Sequence, residues 1–194
     1  MPEPRFGHAV CASDSLIYIT GGIILNSEGG HEITDRIDAI EVGTGEFHTL
    51  GRMNTPRVYH EACFLGDTLY MLGGQSSLYQ PEVLRSVEVY SGDDQESAET
   101  SLMNTPRMQF GACAVKGRVY AFGGRTSLTG EGSVTKKTEV YTPESGEWVY
   151  KADMPEARYG FSVAAYQDDV YVVGGTDQTE SPSGQSDKVF VFHP

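Results

Sequence analysis

Positive charge is scarce in this chain: 14 lysines and arginines stand against 27 aspartates and glutamates, for a formal net charge of −13. A nucleic-acid surface needs clustered cations to neutralise phosphates, so no nucleic-acid partner is expected. Long apolar runs are missing too. No stretch approaches the roughly 20 residues that cross a bilayer, so no membrane partner is expected. Met1-Pro2-Glu3-Pro4-Arg5 does not read as a signal peptide. Cysteine is sparse. Cys11, Cys63 and Cys113 each follow an arginine by six residues (Arg5, Arg57, Arg107), and Ala164 fills the fourth such slot. An odd number of cysteines at equivalent places is not a disulfide framework. Small neighbours make them buried thiols acting as modest hydrophobes, with no basic residue beside them to raise reactivity. The expectation is an acidic, soluble, cytoplasmic protein, long enough at 194 residues to bury a sizeable core.

What the chain has in abundance is repetition. Tyr18-Ile19-Thr20-Gly21-Gly22, Tyr70-Met71-Leu72-Gly73-Gly74, Tyr120-Ala121-Phe122-Gly123-Gly124 and Tyr171-Val172-Val173-Gly174-Gly175 recur at steps of 52, 50 and 51. A period near 50 residues with strand-like content points to a radial β-repeat. Each repeat parses into short strands. An inner strand of small residues comes first: Gly7 to Ala12, Glu61 to Leu65, Gly111 to Val115 and Ser162 to Tyr166. A tight turn leads to a second strand that ends at the double glycine, where a Cβ would clash with the bending chain. After a variable polar loop comes a third strand: Ile37 to Val42, Ser86 to Tyr90, Thr138 to Tyr141 and Lys188 to Phe192. An outer strand is marked by Phe47 or Trp148. In the second repeat Ser97 takes that aromatic slot inside a polar run, so that outer strand should be the weakest. The repeats are assigned to 1–52, 53–102, 103–153 and, in part, 154–194.

Each repeat opens with a methionine and closes its first turn with an arginine: Met1-Pro2-Glu3-Pro4-Arg5, Met53 to Arg57, Met103 to Arg107, and Met154 to Arg158. With Tyr-x-x-Gly-Gly, Val87-Glu88-Val89-Tyr90, Glu139-Val140-Tyr141 and Trp148, the pattern resembles the kelch-repeat family over essentially the whole chain. The resemblance implies an all-β kelch propeller. Departures are Gly43 in the slot of the last tyrosine, Ser97, and Phe190 where the other repeats show Glu41, Glu88 and Glu139. The arginines read as scaffold, bonding carbonyls or pairing with those glutamates between blades, because a buried charge needs a partner. The arginine facing Phe190 should be the odd one out.

The chain stops after the third strand of repeat four, leaving Val189 to Phe192 as an apolar edge. Three explanations are ranked: a piece of a longer chain, a ring completed by further blades or another chain, or a small four-bladed propeller.

Chemistry-bearing residues read blandly. His8 and His60 share an inner-strand slot with Glu61 alongside, but no ligand spacing supports a metal. Gly-rich segments such as Ser27 to Gly30 and Gly130 to Gly132 follow no strand-to-helix pattern, and Asp93-Asp94 and Asp168-Asp169 read as turns. No catalytic order of Ser, His and Asp is present, and no cofactor is expected. Kelch proteins that bind peptides use the residue after the double glycine and those after the arginine. Carried over, the resemblance implies a partner face at Ile23, Gln75, Arg125 and Thr176, with Phe6, Val58, Tyr59, Met108, Gln109 and Tyr159 around them. That mostly apolar set suits a protein or peptide partner with an apolar or basic segment. The implied role is a non-enzymatic scaffold or adaptor, such as a ubiquitin-ligase substrate receptor or an actin scaffold. The alternative is a kelch-built enzyme acting on carbohydrates, of the galactose-oxidase or sialic-acid-mutarotase kind.

Overall fold

A computed structural model describes residues 1, 3–80, 82–92, 95–128, 133–177 and 185–194. Asp93-Asp94, read from sequence as a turn, and Gly130 to Gly132, read as a loop, lie outside them. The described residues are all-β. The first sheet comprises β1 (Ala9–Ala12), β2 (Leu16–Thr20), β5 (Arg36–Glu41) and β6 (Phe47–Arg52); between its second and third strands sits a hairpin of β3 (Ile23–Leu25) and β4 (His31–Ile33). The second sheet holds β7 (Glu61–Leu65), β8 (Thr68–Leu72), β9 (Val87–Tyr90) and the two-residue β10 (Ala98–Glu99). The third has β11 (Gly111–Val115), β12 (Arg118–Phe122), β13 (Thr138–Thr142) and β14 (Glu147–Tyr150). The fourth has β15 (Ser162–Tyr166), β16 (Asp169–Val173) and β17 (Val189–Phe192). All pairings within these sheets are antiparallel.

The sheets stack as propeller blades. Inner strand β1 packs on β7, β7 on β11, and β11 on β15, while β15 makes no comparable return to β1. The fan is therefore open. Its core lies between blades. Cys63, Tyr70, Leu72 and Val87 of the second blade meet Phe110, Ala112, Val119 and Ala121 of the third. Each large side chain so buried contributes about 1.5–3 kcal/mol. The double glycines make this stacking feasible: a Cβ on Gly73, at φ +60°, would lie 2.5 Å from the Arg107 carbonyl oxygen of the next blade. The weak outer strand of the second blade is borne out by β10. There Ser97 carries no ring, and its hydroxyl turns inward to donate to Glu88.

Two sequence expectations need correction. The first long loop is not irregular: Ile23, Ile24 and Leu25 pair with Ile33, Glu32 and His31. Asn26 closes this hairpin, its Oδ1 accepting the amides of Glu28 at 3.1 Å and Gly30 at 2.8 Å. The acidic slot of the first blade is also misplaced by three residues. Ile19 pairs with Asp38 as Met71 pairs with Glu88 and Ala121 with Glu139. Glu41 instead accepts the Thr44 hydroxyl at 2.7 Å at the strand end. By the same register Ile40, not Gly43, stands where Tyr90 and Tyr141 stand. The string Glu41-Val42 imitates Glu88-Val89 and Glu139-Val140, but the unbroken β2–β5 register sets the slot at Asp38; the irregularity at Ile37/Asp38 lies in the pairing with β6, where Leu50 is the extra residue.

Candidate functional site

The repeat arginines set the geometry of one end of the fan. Arg57 is fully buried. Its Nη1 donates to the carbonyls of Gly73 at 2.7 Å and Ser86 at 3.0 Å, and its Nη2 to Glu88 at 2.8 Å. Arg107 repeats this with Gly123 at 2.5 Å, Lys137 at 2.9 Å and Glu139 at 2.8 Å. Arg5 reaches Asp38 at 2.7 Å. Each pair lies within one blade, not between blades as the sequence suggested. Burial pushes the Glu88 carboxyl up. The Ser97 hydroxyl, the Arg57 guanidinium and the Asn54 amide outweigh it and hold it below the usual carboxylate range. Arg158 is the exception expected from Phe190. Its guanidinium carbon stands 4.8 Å from the Phe190 ring centroid, and its Nη2 turns to Glu156 at 2.6 Å.

Anchored this way, the segment after each arginine bridges the residue after each double glycine. Phe6 pairs with Ile23, Val58 with Gln75, Met108 with Arg125, and Tyr159 with Thr176. All ten positions named from sequence thus gather at one end of the blades, but not all are surface. Ile23, Val58, Gln75 and Met108 are buried, which corrects the reading of them as contact residues. They are the pillars of the bridges. Phe6 is 50% exposed, and Tyr59, Gln109, Arg125, Tyr159 and Thr176 keep partial access to solvent. Arg125 lies 5.2 Å from the Tyr159 ring centroid and donates to the Leu128 carbonyl at 2.6 Å, so its cation is held in place.

The next residue in each segment takes a left-handed backbone: Gly7, Tyr59 (φ 57°), Gln109 (φ 49°) and Gly160. Two of the four are not glycine, and a left-handed tyrosine is held there only by its surroundings. The cause is a backbone ladder between blades. The Tyr59 amide donates to the Gly7 carbonyl at 2.8 Å, Gln109 to Tyr59 at 2.9 Å, and Gly160 to Gln109 at 2.8 Å. These four residues rim a cavity of about 300 Å³ at the axis, lined also by His8, His60, Glu61, Phe110 and Phe161. His60 bonds Thr20 Oγ1 at 2.8 Å through Nε2, and burial with the nearby Arg57 charge pulls its pKa down to about 3. Burial pushes the Glu61 carboxyl up to about 8. At neutral pH the cavity wall is therefore predominantly uncharged there, with a neutral imidazole and a mostly protonated acid.

Beside Phe6 lies a second recess of about 330 Å³, formed with Pro4, Ile23, Ile24, Leu25 and His31. The β3–β4 hairpin creates it, with the His31 ring edge-on to Phe6 at 6.2 Å. Sequence reasoning missed this recess. Its signal was the apolar run continuing past Gly22 into an Asn- and Gly-rich turn. Also missed was a trio of the half-buried Glu41 with the exposed Glu46 and His48, whose ligand atoms lie within 4.8 Å of one another in the first blade.

The cysteines occupy their expected slot. Cys63 and Cys113 are buried and Cys11 is half-buried; burial pushes the Cys11 and Cys113 thiols up to about 12. Among the described residues no helix is long and apolar enough to cross a membrane.

Comparison with known proteins places these features. Residues 7–194 match the family described as the KLHDC2/KLHL20/DRC7 Kelch-repeats domain. Kelch-like protein 34 of Homo sapiens is 28% identical over 187 residues, covering 90% of this chain and 28% of that protein. Kelch-like protein 36 of Mus musculus is 25% identical over 182 residues, covering 94% of this chain and 21% of its own length. Alpha-scruin of Limulus polyphemus is 35% identical over 66 residues, 32% of this chain and 7% of that protein. The chain thus spans under a third of each of these relatives.

Proposed function

The chain belongs to the kelch-repeat family, and from that premise we propose that it is a non-enzymatic protein-interaction scaffold. Its partner surface is the loop end of the fan, from the Phe6 recess across the axial mouth to Arg125 and Tyr159. The observation that supports this most is the left-handed pair Tyr59 and Gln109. The inter-blade ladder holds both in a left-handed backbone, so their side chains leave a fixed base toward the axial mouth. A rigid rim around an uncharged hollow suits a binding surface, because ordering costs are met during folding rather than on contact.

The occupant that fits is an extended peptide segment with apolar and basic side chains. Apolar groups suit the recess under the hairpin. The net charge of −13 steers a basic segment toward the molecule. The finer settings implied by the family resemblance, a ubiquitin-ligase substrate receptor or an actin scaffold, would place such a segment on the protein to be delivered or bundled. A cytoplasmic location follows from either setting.

Selection of a displayed peptide library on the immobilised chain tests the surface. Apolar or basic peptides should be enriched, and the triple variant Tyr59→Ala, Arg125→Ala, Tyr159→Ala should lose them by at least about 100-fold, as expected when several anchors are removed together. Peptides that bind the triple variant as tightly as the parent would refute this surface.

A further inference from the structure

The two edges of the β3–β4 hairpin are not alike. Its bonds run from the Thr34 amide to the Gly22 carbonyl at 2.9 Å and from the Asn26 amide to the Gly30 carbonyl at 2.8 Å. Alternation makes Ile24 and Glu32 the bonded pair between them, so Ile23, His31 and Ile33 turn their backbone groups outward. On the β3 side Ile23 exchanges both bonds with Phe6, at 2.8 and 3.2 Å. On the β4 side the amides and carbonyls of His31 and Ile33 have no partner among the described residues. Such a row of unpaired donors and acceptors is a template for one more strand.

That edge borders a recess of about 190 Å³ to which the first blade contributes Glu32 and Ile33, and the second Pro56, Ser76, Leu78 and Tyr79. These two blades are neighbours in the fan, so the recess lies within the described structure rather than at either end of it. The second blade's part is held in place. Ser77 Oγ accepts the amides of Tyr79 at 3.3 Å and Gln80 at 3.1 Å, and the Ser77 carbonyl accepts Gln75 Nε2 at 2.6 Å. Tyr79 itself is 88% exposed, an aromatic ring free to cover an incoming chain. The charge at the edge has one sign. Glu32 is exposed without an ionic partner among the described residues, and no lysine or arginine lines the recess.

We infer that the free edge of β4 is a strand-addition site for an extended segment of a partner protein, with the pattern apolar, basic, apolar. The inference rests on the loop end of the fan being the partner surface, and it fixes where and in which conformation the segment lies. Running antiparallel to β4, as β3 does, the segment sets its two apolar residues opposite His31 and Ile33 and exchanges backbone bonds with them. The residue between stands opposite Glu32, where a lysine or arginine supplies the missing counter-charge. Pro56, Leu78 and Tyr79 give the recess its apolar wall. A second copy of this chain is a poorer occupant. Pairing β4 with β4 about its centre places Glu32 opposite Glu32, and like charges so placed repel.

The probe is the peptide acetyl-Thr-Val-Lys-Val-Thr-amide, titrated to millimolar concentration into the isotope-labelled chain and followed by residue-resolved NMR. The His31 and Ile33 amides should shift saturably and exchange more slowly, with accompanying shifts from Ser76 to Tyr79. Methylating either valine nitrogen of the probe should weaken binding by at least about tenfold, because those amides bond the edge. Methylating the lysine nitrogen, which points away, should change it by less than about twofold. Glu32→Lys, a change at an exposed side chain, should weaken the probe by roughly fivefold or more, and a probe with glutamate in place of its lysine should recover binding to that variant. The triple variant Tyr59→Ala, Arg125→Ala, Tyr159→Ala should bind the probe as the parent does, so the edge and the axial anchors are read separately. Shifts gathered at Tyr59 and Gln109 with His31 and Ile33 unmoved, no saturable shift at all, tolerance of methylated valines, indifference to Glu32→Lys, loss of the probe in the triple variant, or a parent that dimerises through this edge would each overturn the inference.

Discussion

Removing Glu139 should uncouple the third blade more than any surface change. Its carboxylate is fully buried and accepts from Arg107 Nη2 at 2.8 Å, from the Asn104 amide at 2.7 Å and from the Thr105 amide at 3.0 Å. In Glu139→Ala the guanidinium keeps the Gly123 and Lys137 carbonyls but loses its counter-charge in a site without solvent. Breaking one side of a buried pair costs about 3–5 kcal/mol, which for a chain of this size lowers Tm by roughly 10 °C. The double variant Arg107→Met, Glu139→Leu removes the stranded cation and should recover part of the loss. It cannot recover all, because the Asn104 and Thr105 amides remain without their acceptor, at about 1–3 kcal/mol each if still buried. Urea unfolding read by the fluorescence of Trp148, the single tryptophan, measures both variants. A loss below about 1 kcal/mol for Glu139→Ala, or full recovery in the double variant, would refute the view that this acid ties the repeat opening to its own blade.

Further outcomes follow from the same geometry. Glu156→Ala should destabilise far less than Glu139→Ala, since Arg158 still donates to the Gly174 carbonyl at 2.9 Å and rests on Phe190; comparison of urea midpoints checks this. His60 stays neutral in the fold down to about pH 3, while its unfolded form takes a proton near 6.5. Stability should therefore fall as pH drops through that window, and His60→Asn should flatten the slope of Tm against pH. Glu61 behaves oppositely. The folded carboxyl holds its proton to about pH 8 while the unfolded one releases it near 4.5, so its contribution is lost as pH rises between them. Glu61→Gln should raise Tm at pH 8 relative to the parent, and a lower value would contradict the assignment. Cys63 and Cys113 should resist a thiol reagent until the chain unfolds, whereas rapid labelling in native buffer would mean the blades separate readily.

Repetition made the architecture readable. A slot filled four times, such as the arginine or the double glycine, averages away local noise, and strand positions followed within a residue or two. The odd arginine was readable for the same reason: Phe190 cannot replace a carboxylate, and Arg158 accordingly finds a ring and a neighbour's acid. What failed was unique to one repeat. Only in the first loop does the pairing extend into the three-residue β3–β4 hairpin, the other loops keeping a single antiparallel bridge at that place, and the string Glu41-Val42 imitates an acid slot that strand register gives to Asp38. The end of the fan proposed as the partner face was half legible. Position in the repeat located all ten residues at one end, but burial depends on which way each side chain leaves its bridge. Val58 and Met108 point inward while Tyr59 and Gln109, one residue on, turn outward through a left-handed backbone.

The account's central claim is that repeated sheets are stacked face to face and tied by backbone bonds from blade to blade. Residue-resolved amide exchange on the chain tests it most directly. Gly22, Gly74 and Gly124 should exchange only through global unfolding, while Gly175, the same position in the last blade, exchanges orders of magnitude faster. Equal rates at all four glycines would contradict it.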